Sequence, residues 1–89
     1  MSTELVHIGF ENILVMNRVL ALFSPAQQPV KRLMREAKDK GLLLDATHGR
    51  KVKAVIMLDT GHVTLSAISP EAIGNRLITA REGGIAKEP

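Results

Sequence analysis

The side chains best equipped for chemistry in this sequence are cations, and they are gathered in one place. Residues 31–53, KRLMREAKDKGLLLDATHGRKVK, hold eight of the twelve Lys and Arg residues against only three acids, Glu36, Asp39 and Asp45. That segment is therefore +5 in an 89-residue chain whose formal charge is +3. Positive charge gathered in one quarter of an otherwise slightly acidic chain points to a polyanionic partner. The sharpest part is Gly49-Arg50-Lys51-Val52-Lys53. A glycine turn running into a strand displays Arg50 and Lys51 where backbone motion is small. Arginine there can fork onto two phosphate oxygens or onto the O6 and N7 edge of guanine, while lysine acts as a point charge. Upstream, Lys31, Arg35 and Lys38 share one helix face, with Arg32 and Glu36 beside them. Read alone, such a row is ordinary solvated surface, because Glu36 and Asp39 offset part of it. Its closeness in sequence to Arg50 and the presence of Arg18 favour the polyanion reading.

Other chemistries find little support. Asp59-Thr60-Gly61 matches the activating turn of aspartic proteases, whose two carboxylates share a proton across a dimer axis. Only twelve residues separate Gly61 from Gly74, too few for a flap, so the triplet reads as a hairpin turn. His7, His48 and His62 with Asp45 and Asp59 lack zinc-type spacing, and there is no cysteine. Neither a phosphate-cradling glycine loop nor a Ser-His-Asp arrangement is present. The expectation is a protein without catalytic activity, metal, cofactor or small-molecule substrate. With two aromatics, Phe10 and Phe23, neither flanked by basic residues, a base-stacking platform is not expected. That favours contact with a duplex backbone over a single strand. The first residues lack a signal-peptide pattern, and no stretch approaches the roughly 20 apolar residues of a spanning helix, which implies a cytoplasmic protein with no membrane partner.

The elements that must position these residues are short. Leu5–Ile8 is an apolar piece closed by a turn at residues 9–12; Ile13–Met16 and Val19–Phe23 read as strands joined tightly at Asn17-Arg18, which would put Arg18 on a rigid corner. A turn at residues 24–28 leads into a helix beginning near Pro29. Its Val30, Leu33, Met34 and Ala37 form an apolar stripe, and Gly41 follows its end. Leu42–Asp45 reads as a strand and residues 46–49 as a turn. Val52–Leu58 and Val63–Ile68 form a hairpin, and Pro70 opens a second, shorter helix. The fold class is α+β, with about five short, mostly antiparallel strands and two helices. Residues 1–78 form one domain and residues 79–89 a flexible tail. At 45% apolar residues, so small a body is expected to keep aliphatic surface for self-association, with Leu5–Ile8 and Val19–Phe23 as candidate interfaces.

Several runs together resemble one family. His7-Ile8-Gly9-Phe10-x-Asn12, Asn17-Arg18-Val19, Ser24-Pro25 and Pro29-x-Lys31-Arg32 are followed by Gly41-x-Leu43-x-Asp45-Ala46-Thr47-x-Gly49-Arg50 and Gly61-His62-Val63-x-Leu65-Ser66. They look like the RemA family of bacterial extracellular-matrix regulatory proteins, over about residues 5 to 78, and Asp-Ala-Thr-x-Gly-Arg is the most specific part. The resemblance implies a DNA-binding transcriptional regulator of matrix and biofilm genes. Its protomers would be similar to LytTR-type DNA-binding domains and would assemble into a homo-oligomeric ring with double-stranded DNA on a basic rim. By position, Arg18, Arg50 and Lys51 would contact DNA; Lys53, Lys31 and Arg32, chosen for their charge and not carried over from the family, are secondary candidates. Pro29 would fix the entry to the helix. Lys51 stands where the family commonly has a second Arg, and His48 where Tyr is frequent. Loss of one guanidinium fork touches specificity more than attraction. A structural RNA-binding module and a self-assembling scaffold without nucleic acid are the alternative readings.

Overall fold

A computed structural model describes residues 4–83, with side chains to Thr79. Six strands and two helices follow in the order β1 (Leu5–His7), β2 (Ile13–Val15), β3 (Val19–Phe23), α1 (Gln28–Asp39), β4 (Leu43–Asp45), β5 (Ala54–Leu58), β6 (Val63–Ser66) and α2 (Pro70–Gly83). They form two sheets. β1 and β2 make an antiparallel hairpin, and the other four strands lie in the order β3-β5-β6-β4. All pairs are antiparallel except β4 with β6, which run parallel. The class is the α+β one that the sequence patterns imply.

The layers follow from the alternation of β5. Ala54 and Ile56 pack with Val6, Ile8, Leu14 and Ile73, so one sheet face is covered by the β1–β2 hairpin and α2. Val55 points the other way and packs with Val63, Leu65, Val30 and Ala37 under α1. Both faces are buried, and for that reason β5 reads as an almost unbroken apolar run. The apolar stripe of α1 is what seats it, and Gly41, at φ +72°, ends it in the left-handed conformation that costs glycine no steric clash.

One connection differs from the sequence reading. Asn17-Arg18 does not join two strands of a hairpin. Met16–Arg18 is a single 3₁₀ turn that carries the chain from the small sheet, where β2 pairs with β1, to the large sheet, where β3 pairs with β5. Apolar run lengths identify strands but carry no information about which strands pair, and a helical turn between two such runs leaves no mark in hydropathy. Helix α2 is also longer than expected. It extends to Gly83, so residues 79–83 of the expected tail are helical, and residues 84–89 lie outside the described residues. Among the described residues, no helix is long and apolar enough to cross a membrane.

Candidate nucleic-acid interface

The two ends of β5 carry the two arginines singled out by the sequence. Residues 50–53 precede Ala54 at one end, and Val19, the residue after Arg18, pairs with Leu58 at the other. Five strand residues separate the two places, a distance on the order of 17 Å. Arg18 and Arg50 therefore do not form one cluster within the chain.

At the first end, the turn that displays Arg50 is built by Asp45 and Thr47. Asp45 Oδ1 accepts hydrogen bonds from the Thr47 hydroxyl (2.6 Å) and the Thr47 amide (2.9 Å), and the Arg50 amide then donates to the Thr47 carbonyl at 3.0 Å. The hydroxyl bond, then the amide bond, hold the Asp45 carboxyl below its ordinary value of 3.8, with slight burial opposing them. Thr47 is 2% exposed. Because Asp45 is engaged locally, its charge does not neutralise the neighbouring cations by pairing. Arg50, Lys51 and Lys53 are all exposed, and none makes an ion pair among the described residues. Lys53 is held by its backbone, its amide donating to the Ser66 carbonyl at 2.8 Å.

The hairpin tip of β1–β2 reaches the same place. Phe10 stacks on His48 with ring centroids 5.0 Å apart and planes 14° from parallel, and the Arg50 guanidinium carbon lies 5.5 Å from the Phe10 centroid. Phe10 (φ +51°) and His48 (φ +56°) both have left-handed backbones. For a bulky residue such as Phe this is an uncommon and strained state, tolerated here because both central residues of the tight hairpin turn need it. Phe10, Arg50, Lys51 and Lys53, together with Ala67 and Ile68, line an open depression of about 340 Å³. The sequence offered no hint of this. Phe10 lies 40 positions from Arg50 and has no basic residue beside it in the chain, so its place next to the cations follows only from the fold. Its signal would have been the two turns, Gly9-Phe10 and His48-Gly49, if their proximity had been known.

Lys31 and Arg32 lie toward this same end of the sheet. Helix α1 starts five residues after Phe23, which pairs with Val55, and finishes at the opposite end, where the Val63 amide donates to the Leu42 carbonyl. Both side chains are exposed, but α1 covers the other face of the sheet from the hairpin. The same end of the sheet thus collects Arg50, Lys51, Lys53, Lys31 and Arg32 on two faces.

Arg18 occupies the far corner. Its Nε donates to Asp59 Oδ2 at 2.6 Å, and its carbonyl accepts from the Asp59 amide at 2.8 Å. The Asp-Thr-Gly turn is thus a hairpin turn, as expected, with its carboxylate on an arginine. His62 lies in the same turn, 2.7 Å from the Thr60 hydroxyl through Nδ1.

Fold and site together define a small α+β module that carries a group of exposed cations at one end of its larger sheet. The chain belongs to the RemA-like family, described as extracellular matrix regulatory protein A-like, which matches residues 5–77. It is 52% identical over 88 residues to a protein of Dehalococcoides mccartyi strain BAV1, covering 99% of this chain and 92% of that one. A Synechococcus protein is 51% identical over 83 residues, 93% of each chain, and one from Clostridium perfringens is 50% identical over 82 residues, 92% of each. All three relatives are provisionally named regulatory proteins. A regulatory protein is accordingly what this chain is.

Proposed function

We propose that this protein regulates transcription of extracellular-matrix and biofilm genes by binding double-stranded DNA. It does so as a homo-oligomer, a ring of LytTR-like protomers in the cytoplasm. Arg50, Lys51 and Arg18 contact the phosphates, with Lys53, Lys31 and Arg32 adding to the field. The observation that carries this reading is a display of cations at one end of β5 that make no ion pair among the described residues. Arg50, Lys51 and Lys53 are exposed side by side, and the nearest carboxylate in sequence, Asp45, is engaged with Thr47. Unneutralised cations fixed on a turn gain most from releasing the counterions of a duplex.

Oligomerisation answers two features of the protomer. Three phosphate contacts give weak binding, with a log–log salt slope of about −3, and linking protomers raises avidity by about a hundredfold or more. A groove of about 450 Å³ also runs between β2 and β4; Ile13, Val15 and Leu44, which are 51%, 38% and 48% exposed, line it, as do Arg18, Asp45 and Asp59. Of the two strands expected at the interface, β1 is largely core, with Val6 buried, whereas β3 is an open sheet edge carrying Leu20 at 66% exposure. Leu20 on the β3 edge is not among the residues that line the groove, so the two offer separate apolar contacts of the kind a head-to-tail ring uses.

The test is fluorescence anisotropy of a labelled duplex of about 60 base pairs across roughly 50 to 300 mM salt. A slope well beyond about −3 supports DNA held by several subunits at once. An RNA duplex that competes better than DNA at equal salt turns the reading into an RNA-binding module. No binding to either at low salt leaves the cations as solvated surface on a scaffold.

A further inference from the structure

We infer that Asp59 is a positioning residue for Arg18, gripping one edge of its guanidinium so that the opposite edge is presented to the nucleic acid. The inference rests on the DNA-binding reading above and concerns how its isolated arginine is held. Two hydrogen bonds join the same two residues. The Asp59 amide donates to the Arg18 carbonyl, and Arg18 Nε donates to Asp59 Oδ2. The side chain is thus referenced to its own backbone through a rigid turn. That turn is itself closed by the Leu58 amide on the His62 carbonyl (2.9 Å) and the Gly61 amide on the Leu58 carbonyl (3.1 Å).

Only Nε is engaged. The side chain is 61% exposed, and Nη1 and Nη2 have no other acceptor among the described residues. These two nitrogens are the pair that forks onto two phosphate oxygens or onto a guanine edge. A long, exposed arginine ordinarily loses much rotamer freedom when it binds, and a carboxylate holding it at Nε removes part of that cost in advance. The same carboxylate also brings a negative charge toward the DNA, which opposes binding. Affinity of a single variant therefore mixes two effects of opposite sign.

Two substitutions separate them, because both are neutral. Asp59→Asn keeps an oxygen able to accept from Nε, whereas Asp59→Ala removes it. The expected result in the anisotropy assay is that Asp59→Asn binds duplex DNA at least as tightly as the unchanged protein. Asp59→Ala binds about threefold more weakly than Asp59→Asn, the scale of one exposed charge-assisted contact. In an Arg18→Ala background the difference between the two disappears, which a purely structural role in the turn would not produce. Should the alanine variant fail to fold, Asp59→Leu, similar in size to Asn and without an acceptor, repeats the comparison. Equal affinities for the Asn and Ala variants overturn the role of Asp59 while leaving DNA binding intact. Failure of the unchanged protein to bind overturns both.

Discussion

The two ends of β5 show the same residue type presented by opposite means. Arg50 is set by its backbone, through a turn locked by Asp45 and Thr47, and its guanidinium lies near an aromatic pair whose backbone is itself strained. No carboxylate pairs with it among the described residues, so its whole charge is available. Arg18 is set by its side chain, through a direct bond to Asp59, and its charge is partly offset by that partner. The first arrangement maximises attraction and the second maximises geometry. On the proposed DNA-binding reading, the first would serve to capture the polyanion and the second to hold it in one orientation, and a single cluster of cations would supply only the first.

The comparison can be broken most directly at the Arg50 end. Arg50→Ala is expected to abolish DNA binding, a loss of a hundredfold or more in an assembly that repeats the contact, while sedimentation shows the oligomer unchanged. Retained affinity would sink the assignment. Arg18→Ala should cost less, about tenfold, and flatten the log–log salt slope by less than one unit per protomer, because its charge is already partly offset. A larger slope change for Arg18→Ala than for Arg50→Ala would reverse the proposed division of labour.

Two further substitutions sharpen it. Thr47→Val keeps the bulk of a buried residue but removes the hydroxyl on Asp45, and should lower unfolding stability by about 1 kcal/mol, read by urea denaturation. The same bond gives a pH dependence of known sign. Because the folded state holds the Asp45 carboxyl below its ordinary 3.8, the stabilisation is fully present above that pH and is lost as pH falls through the lower folded value. Asp45→Asn should therefore show a shallower loss of stability below about pH 4 than the unchanged protein. Smallest of all, Phe10→Leu leaves an apolar side chain at the hairpin tip and removes the stack. DNA affinity should fall by about two- to threefold, on the scale of one exposed cation–π contact. No change would mean that the turn alone orients Arg50.

Much of this was legible in the chain itself. The stripe Val30, Leu33, Met34 and Ala37 fixed α1, Gly41 marked its end, and Asp59-Thr60-Gly61 marked the β5–β6 turn. These are local signals, written by periodicity and by residues with special backbone preferences. The cations could be picked out for the same reason, since charge is visible without a fold. What escaped were relations between distant residues. Asn17-Arg18 looked like a hairpin turn because strand runs flank it, yet β2 and β3 pair with β1 and β5. Phe10 looked isolated from every basic residue and lies against Arg50. Asp59 looked like an ordinary turn acid, 41 positions from the arginine it holds.

The sequence by itself determined the α+β class, the helix α1, the turns and the concentration of positive charge, because each depends on residues close together in the chain. The tertiary structure alone decided that Arg18 and Arg50 stand at opposite ends of a strand, one clamped by a carboxylate and one set beside an aromatic stack. Those arrangements depend on which sheet edge each strand joins. That choice is made by burial of both faces of β5 at once, a constraint summed over the whole core that no short window of sequence contains.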